Sequence, residues 1–210
     1  MSTVPNTGLT EWPSGALEPD LIFNAFLLFF DTWYGLANPI GKHAVPISAG
    51  AMAPSVTGGC AALAGIASSA NHPDIVSLDF DATTNEYAQF SIDMPKSWNE
   101  GTVTARFRFS HASGSGDVIW GLQGVAVSDG DDIDQAFGTA QEVTKTSSAA
   151  GKLRITSETS AITIGGSPAA GDRVYFRVYR NAASGSDTLA VDARLHGVDL
   201  FITTDAGNDA

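Results

Sequence analysis

The sequence predicts a mainly β protein, an antiparallel, jelly-roll-like β-sandwich of about nine strands. Two observations predict it. Apolar and polar residues alternate with period two along several runs, and the clearest is 172–180, where Val174, Phe176 and Val178 alternate with polar or aromatic neighbours. Period two is that of a half-buried strand. Short stretches rich in Gly, Ser, Asn and Asp separate these runs, as turns do in sandwiches.

Composition restricts the classes of protein to which the chain can belong. With 210 residues, 43% of them hydrophobic, it can build one sandwich core and carry an accessory segment. The net charge of -12 disfavours binding to nucleic acids and to anionic membranes. The single cysteine, Cys60, allows neither an internal disulfide nor a cysteine zinc cluster, so we expect a buried structural thiol.

The N-terminal part differs from the rest. Prolines and glycines in residues 1–17 predict an extended arm, and residues 18–34 predict one short helix that is apolar nearly all round. The helix is too short to span a bilayer, which needs about 20 apolar residues, and no basic residue precedes it as in a signal peptide. We therefore do not expect membrane insertion.

Two interpretations of this helix stay open: it packs on its own sandwich, or it trimerises or docks into a larger assembly. On the second interpretation, residues 1–70 form an anchoring and oligomerisation segment and residues 71–210 form the β-sandwich domain. The side chains that would make the oligomer contact are Leu21, Phe23, Phe26, Leu27, Phe30 and Tyr34.

Strand signals follow regularly from residue 74. The predicted strands are 75–80, 86–93, 101–109, 117–127, 152–156, 161–164, 172–180, 187–195 and 198–203, with shorter candidates at 42–47 and 48–52. We expect 172–180 and 187–195 to pair as a hairpin at the centre of the fold, and 152–156 with 161–164 as another. Residues 129–142 carry Ile133 and Phe137 at helical spacing and predict one or two helical turns.

The densest carboxylate cluster lies in residues 128–134. Asp129, Asp131 and Asp134, with Asp132 between them, are weak candidates for calcium ligands. The glutamate that closes an EF-hand loop is missing, so we favour a surface turn in which Asp129 caps a short helix. The sequence predicts no metal and no cofactor.

Catalytic motifs are absent from the sequence. Asp79, Asp81 and Glu86 lie around one strand end and would be the carboxylates of a glycosidase. Sandwich glycosidases carry a Glu-x-Asp-x-x-Glu array on one strand, which this chain lacks. The four histidines have no metal-binding spacing, and no Gly-x-Ser-x-Gly lies between a strand and a helix. We therefore expect no enzymatic activity.

Aromatic side chains offer one candidate ligand face. Trp98, Tyr175 and Tyr179, with Trp120, would suit stacking on a sugar, although packing within the sandwich is the favoured explanation for them. An exposed aromatic platform beside a polar groove would indicate a carbohydrate-binding or receptor-binding module. Two inward-facing carboxylates in a cleft would instead indicate a sandwich glycoside hydrolase.

Several phrases together resemble a β-sandwich domain of virion proteins from tailed bacteriophages, over about residues 70–210. The phrases are 79–81, 88–90, 94–104, 127–134, 137–140, 187–195 and 203–205. The N-terminal outline is similar to the virion-attachment ends of phage fibre and spike proteins.

This resemblance implies a non-enzymatic structural protein of the virion, assembled in the host cytoplasm as a head or tail spike, fibre or capsid decoration. Its partners would be further copies of itself in a homotrimer, other capsid or tail proteins, and a host surface glycan as ligand. The resemblance carries over no active-site residues.

Overall fold

A computed structural model describes residues 40–209. They form two antiparallel sheets that face each other across a common apolar core, so the predicted mainly β sandwich is confirmed. The chain divides into two compact units between residues 39 and 40, and the second unit contains the sandwich. The predicted arm and helix, with the side chains from Leu21 to Tyr34, lie outside the described residues.

The described residues contain eleven strands and one short 3-10 turn, Ala49–Ala51. The strands are β1 (Gly41–Ser48), β2 (Ala53–Pro54), β3 (Ala64–Ile66), β4 (Ile75–Phe80), β5 (Glu86–Asp93), β6 (Thr104–His111), β7 (Gly116–Val127), β8 (Gln141–Ser147), β9 (Arg154–Ile155), β10 (Arg173–Arg180) and β11 (Ala193–Thr204).

Each sheet has a central strand that pairs on both of its edges, β11 in the six-stranded sheet and β10 in the five-stranded sheet. The six-stranded sheet has the order β3-β4-β11-β6-β9, and β1 also pairs with β11. The five-stranded sheet has the order β2-β5-β10-β7-β8. Strands β4 and β1 share one edge of β11, β4 beside 193–195 and β1 beside 197–204. Because β1, β2 and β3 are strands of these sheets, the sandwich includes residues 41–66, whereas the anchoring role of residues 1–70 stays a prediction.

The predicted central hairpin is wrong. Strand β10 pairs with β5 and β7, whereas β11 lies in the other sheet. Residues 181–192 cross between the sheets, and the buried Arg180 takes the place of a strand partner by donating to the carbonyls of Leu189 and Val191. Those backbone oxygens are therefore satisfied without a ladder.

Three further local predictions differ from the structure. Residues 129–140 form no helix, and Ile133 is 85% exposed instead of anchoring one to the sheet. A strand, β8, follows at once where no strand was predicted. Ile162 makes only an isolated bridge to Val103, so the hairpin of 152–156 with 161–164 does not form. For β8, which pairs with β7, and for Ile162, which bridges to Val103, long-range pairing overrides the local pattern.

The core lies between the sheets and centres on Trp120. Its ring meets Phe80 edge-on at 5.0 Å and stacks on Phe107 at 5.9 Å between ring centroids. The inward residues of β10, among them Phe176, are fully buried, as their alternation predicted. Within residues 40–209 no helix is long and apolar enough to cross a membrane.

Candidate functional site

The outer face of the five-stranded sheet carries a group of aromatic and planar polar side chains. Since Val174, Phe176 and Val178 of β10 point into the core, their neighbours Tyr175, Arg177 and Tyr179 point outward. We call the outward group the tyrosine face. Its members are Tyr87, Gln89, Gln123, Tyr175, Arg177 and Tyr179.

The strand register arranges the tyrosine face in rows across β5, β10 and β7. Tyr179 lies between Tyr87 and Gly121, and the next row places Arg177 between Gln89 and Gln123. Tyr175 lies one row further, so Tyr175 and Tyr179 are four residues apart on one strand, about 13 Å. Neighbouring rows therefore alternate aromatic and planar polar groups.

Gly121 allows the ring of Tyr179 to lie against the sheet. A Cβ at position 121 would come within 2.3 Å of the Tyr179 ring, which no side chain tolerates. The rings of Tyr179 and Tyr87 lie 5.7 Å apart at a tilt of 40°. They form one continuous, half-buried aromatic surface on the outside of the sheet.

The hydroxyl of Tyr179 is held in a fixed direction. It donates a hydrogen bond of 2.8 Å to Glu142, which also accepts one of 2.9 Å from Asn181 Nδ2. Burial of the ring, together with this bond to Glu142, raises the pKa of Tyr179 above its ordinary value. The phenol therefore remains protonated at neutral pH and keeps its ring orientation.

Arg177 packs against two aromatic rings. Its guanidinium carbon is 4.6 Å from the ring centre of Tyr87 and 4.7 Å from that of Phe137. With the amide of Gln123 oriented for bonding, Arg177 Nε and Nη2 donate to its oxygen at 2.7 and 2.5 Å. Stacking and hydrogen bonding together fix the plane of the guanidinium group.

An open depression of about 500 Å³ adjoins the Tyr175 end of the tyrosine face. Tyr175, 37% exposed, contributes to its wall beside Asp93 and Arg173. The Arg173 guanidinium bonds both oxygens of Asp93, at 2.7 and 2.8 Å, and holds the pKa of that carboxyl below its usual value. The depression and the tyrosine face form a surface that is open along the strand direction.

Trp98 does not lie on the ligand face that was predicted for it. It is 2% exposed and belongs to the core, so it offers no surface to a ligand. Tyr175 and Tyr179 do point outward, but their neighbours are Tyr87 and Arg177, which sequence reasoning missed. The alternation within β5 and β10 places both on an outer face, whereas the pairing that joins them is absent from any local pattern.

The carboxylates considered for glycosidase chemistry serve the local backbone and nearby side chains. Asp79 accepts hydrogen bonds from Ser77 at 2.7 Å and from Arg194 at 3.4 Å. Asp81 Oδ1 accepts four bonds from the backbone and hydroxyl groups of residues 83 and 84, which lower the pKa of Asp81. Glu86 accepts from the Asp81 backbone N–H at 2.8 Å. These contacts shape the β4–β5 turn.

The acidic segment 128–134 is an exposed turn. Asp131 accepts from the Ser128 N–H, and Asp132 accepts from the Asp134 N–H, both at 3.0 Å. The prediction that Asp129 caps a helix is wrong, since there is no helix to cap and Asp131 makes the turn contact. In the part of the chain that the structure describes, no three His, Cys, Asp or Glu side chains are grouped to hold a metal ion, Asp129, Asp131 and Asp134 included.

Comparison with known proteins identifies no family. No family model and no curated protein matches the chain. Among solved structures, the chain is similar to the CBM22-2 xylan-binding domain of Xyn10C from Paenibacillus barcinonensis, with 10% identity over 76% of this chain and 99% of that one, at a TM-score of 0.45.

Two further similarities have the same character. The C-terminal family 22 carbohydrate-binding module of Xyn10B from Clostridium thermocellum shares 14% identity, over 77% of this chain and 94% of that one, at a TM-score of 0.42. The cycloisomaltooligosaccharide glucanotransferase of a Paenibacillus species also shares 14% identity at 0.42, over 77% of this chain, which spans only 18% of that enzyme. At such low identities and TM-scores, these similarities assign neither a family nor a ligand to this chain.

Proposed function

We propose that the chain is a non-catalytic binding protein whose β-sandwich binds carbohydrate on the tyrosine face. The observation that carries the proposal is the pair of half-buried rings, Tyr87 and Tyr179, flanked by planar polar groups on an open sheet surface. Ligand sites combine aromatic surface with a few fixed polar groups. A sugar ring offers both partners, since its C–H face packs on an aromatic ring and its hydroxyls pair with amide, guanidinium and carboxylate groups.

The shape of the surface favours an extended ligand. The tyrosine face runs for about 13 Å along β10 from Tyr179 to Tyr175 and continues into the open depression beside Arg173. Phe137 and the buried Gln123 bound this surface on its β7 side. A polysaccharide lying along the strand would contact both tyrosines, whereas a single small molecule would contact one.

The absence of catalysis is part of the proposal. Asp79, Asp81 and Glu86 make local contacts that shape a turn or pair with Arg194. None of the three is held against the tyrosine face, where a bound sugar would lie. A binding role uses the face without requiring a pair of carboxylates across a glycosidic bond.

The test is a binding screen against immobilised polysaccharides with three proteins: the wild type, Tyr87→Ala and Phe201→Ala. Phe201 is a matched control, because it is a half-exposed aromatic on the outer face of the other sheet. We expect the wild type to bind at least one polysaccharide, Tyr87→Ala to bind it several-fold more weakly, and Phe201→Ala to match the wild type. A wild type that binds no polysaccharide, or equal losses in both variants, would refute the proposal.

We further propose that this binding protein is part of a virion. The resemblance of several phrases to tailed-phage virion proteins supports this, and so does the apolar sequence of residues 21–34, which suits attachment or trimerisation.

The full chain tests the trimer. Light scattering should give about three times 21.8 kDa, and Phe26→Asp with Phe30→Asp should abolish the trimer. Immunogold labelling of purified particles with antibodies against the sandwich tests the location. A monomeric wild type excludes the trimer, and unlabelled particles exclude the virion role.

A further inference from the structure

We propose that the carbohydrate bound by the tyrosine face carries carboxylate groups, and that Arg177 binds one of them. This inference rests on the proposed function and names the chemical class of its ligand. It concerns the side chain of Arg177, which lies on the tyrosine face and bonds a neutral amide.

The first argument is the charge balance of the arginines. Five described arginines lie within ion-pair distance of a carboxylate: Arg106, Arg108, Arg173, Arg180 and Arg194. Arg154 donates to the hydroxyls of Ser147 and Ser148 in a region remote from the tyrosine face in the fold. Among residues 40–209, Arg177 donates only to the neutral amide of Gln123. The chain has 23 acidic and 11 basic residues. An arginine that has no carboxylate partner among the described residues is therefore available to pair with a carboxylate of a ligand.

The second argument is pre-organisation. The guanidinium carbon of Arg177 lies over the rings of Tyr87 and Phe137, at 4.6 and 4.7 Å from their centres, and the Gln123 oxygen accepts from its Nε and Nη2. Holding a long side chain in one orientation normally costs conformational entropy when a ligand binds. Here contacts within the fold have already restricted it. Arg177 is intermediate between buried and exposed.

The third argument is the number of donors. A guanidinium has five N–H groups, and the side-chain oxygen of Gln123 accepts hydrogen bonds from Nε and Nη2 of Arg177. The two N–H groups on Nη1 donate to no atom within residues 40–209. A carboxylate on the ligand would receive hydrogen bonds from this edge in which donor and acceptor are both charged, whereas a sugar hydroxyl would accept as a neutral group.

The negative net charge of the chain repels an anionic ligand. At physiological ionic strength the Debye length is about 8 Å, so most of the -12 charge is screened at the tyrosine face. Two carboxylates of this surface have partners of their own, since Glu142 accepts from Tyr179 and Asn181 and Asp93 pairs with Arg173. A ligand carboxylate in contact with Arg177 would be closer to it than the Debye length and would lie beside aromatic rings, where screening by water is weak.

The experiment uses polysaccharide pairs that differ only in charge: polygalacturonate, alginate and polysialate, each with its fully methyl-esterified form. Binding of the full chain is measured by calorimetry for the wild type, Arg177→Gln, Arg177→Lys and the control Arg154→Gln. Melting temperatures confirm that each variant is folded.

We expect the wild type to prefer the carboxylate form of at least one pair. Arg177→Gln should reduce that preference, the ratio of the affinity for the carboxylate form to the affinity for the ester, about tenfold or more, as expected on losing a hydrogen bond between charged partners. Contacts that both forms make with Arg177 are lost from both and cancel in this ratio. Arg177→Lys should fall between, because it keeps the charge and loses the planar fork. Arg154→Gln should match the wild type.

The outcomes separate the two proposals. A wild type that binds only neutral polysaccharides or esters, or an Arg177→Gln protein that keeps the full preference for carboxylates, overturns this inference and leaves carbohydrate binding intact. A wild type that binds neither charged nor neutral polysaccharides overturns both.

Discussion

Removing one partner of the buried ion pair between Arg180 and Asp187 should destabilise the protein more than removing one partner of a surface ion pair. Both side chains are 0% exposed, with Arg180 Nη2 at 2.7 Å and Nε at 3.1 Å from the two carboxylate oxygens. Asp187 also accepts from the Ile119 N–H at 3.0 Å. Replacing Asp187 by alanine would leave the Arg180 charge buried without its counter-ion and the Ile119 N–H without its acceptor.

The expected cost follows from these contacts. Breaking a buried pair from one side typically costs about 3–5 kcal/mol, because the remaining charge is uncompensated. That is a large share of the roughly 5–15 kcal/mol that stabilises a typical domain. Urea unfolding, followed by the fluorescence of the buried tryptophans Trp98 and Trp120, should show the midpoint of Asp187→Ala lowered by roughly 1 M or more.

Asp93→Ala is the matched control. Its partner Arg173 is exposed, and so is Asp93, with side-chain exposures of 51% and 62%. Water and salt screen such a pair, so Asp93→Ala should not shift the midpoint measurably. Equal midpoints for Asp187→Ala and the wild type would refute the reasoning.

A double variant separates charge compensation from the hydrogen bonds that Arg180 donates to the backbone. Replacing a buried pair by apolar residues is often neutral. Here Arg180 also donates to the carbonyls of Leu189 and Val191, at 2.5 and 2.8 Å. Arg180→Met with Asp187→Leu should therefore remain less stable than the wild type, since those carbonyls lose their donor. Full recovery of stability would show that the carbonyl contacts contribute nothing.

The remaining predictions concern single positions. Burial is the largest of the causes that raise the pKa of Cys60 to about 12, so little thiolate forms below that pH. The native thiol should therefore react with a disulfide reagent at pH 8 only after unfolding, and rapid labelling of the native protein would contradict this. Gly121→Ala should displace the tyrosine ring above it and weaken polysaccharide binding in a retention assay, whereas Gly185→Ala, where a Cβ meets no atom within 4 Å, should not. Asp131→Ala should lower the melting temperature by roughly 1–2 °C, because one exposed hydrogen bond is lost, whereas Asp129→Ala should not change it. EDTA should not change the melting temperature of either variant. A wild type whose melting temperature falls in EDTA would instead indicate a bound metal.

The local alternation of apolar and polar residues was sufficient to predict several strands and which side chains point into the core. The predicted strands 75–80 and 86–93 coincide with β4 and β5, and 172–180 differs from β10 by one residue. Alternation along a strand places successive side chains on opposite faces whatever the strand pairs with. For this reason the inward residues of β10 and the outward position of Tyr175 could be read from the sequence.

The fold class, several strands and the faces of their residues follow from the local sequence. Which strands are neighbours, and therefore where the candidate site lies, follows from the tertiary structure. Tyr179 lies between Tyr87 and Gly121 across β5, β10 and β7, segments far apart in the chain. The hairpin expected from proximity in sequence does not form, because Arg180 turns inward to Asp187 and the chain crosses to the other sheet. Pairing depends on which apolar faces close over a common core and which buried polar groups find partners, and both are properties of the whole chain.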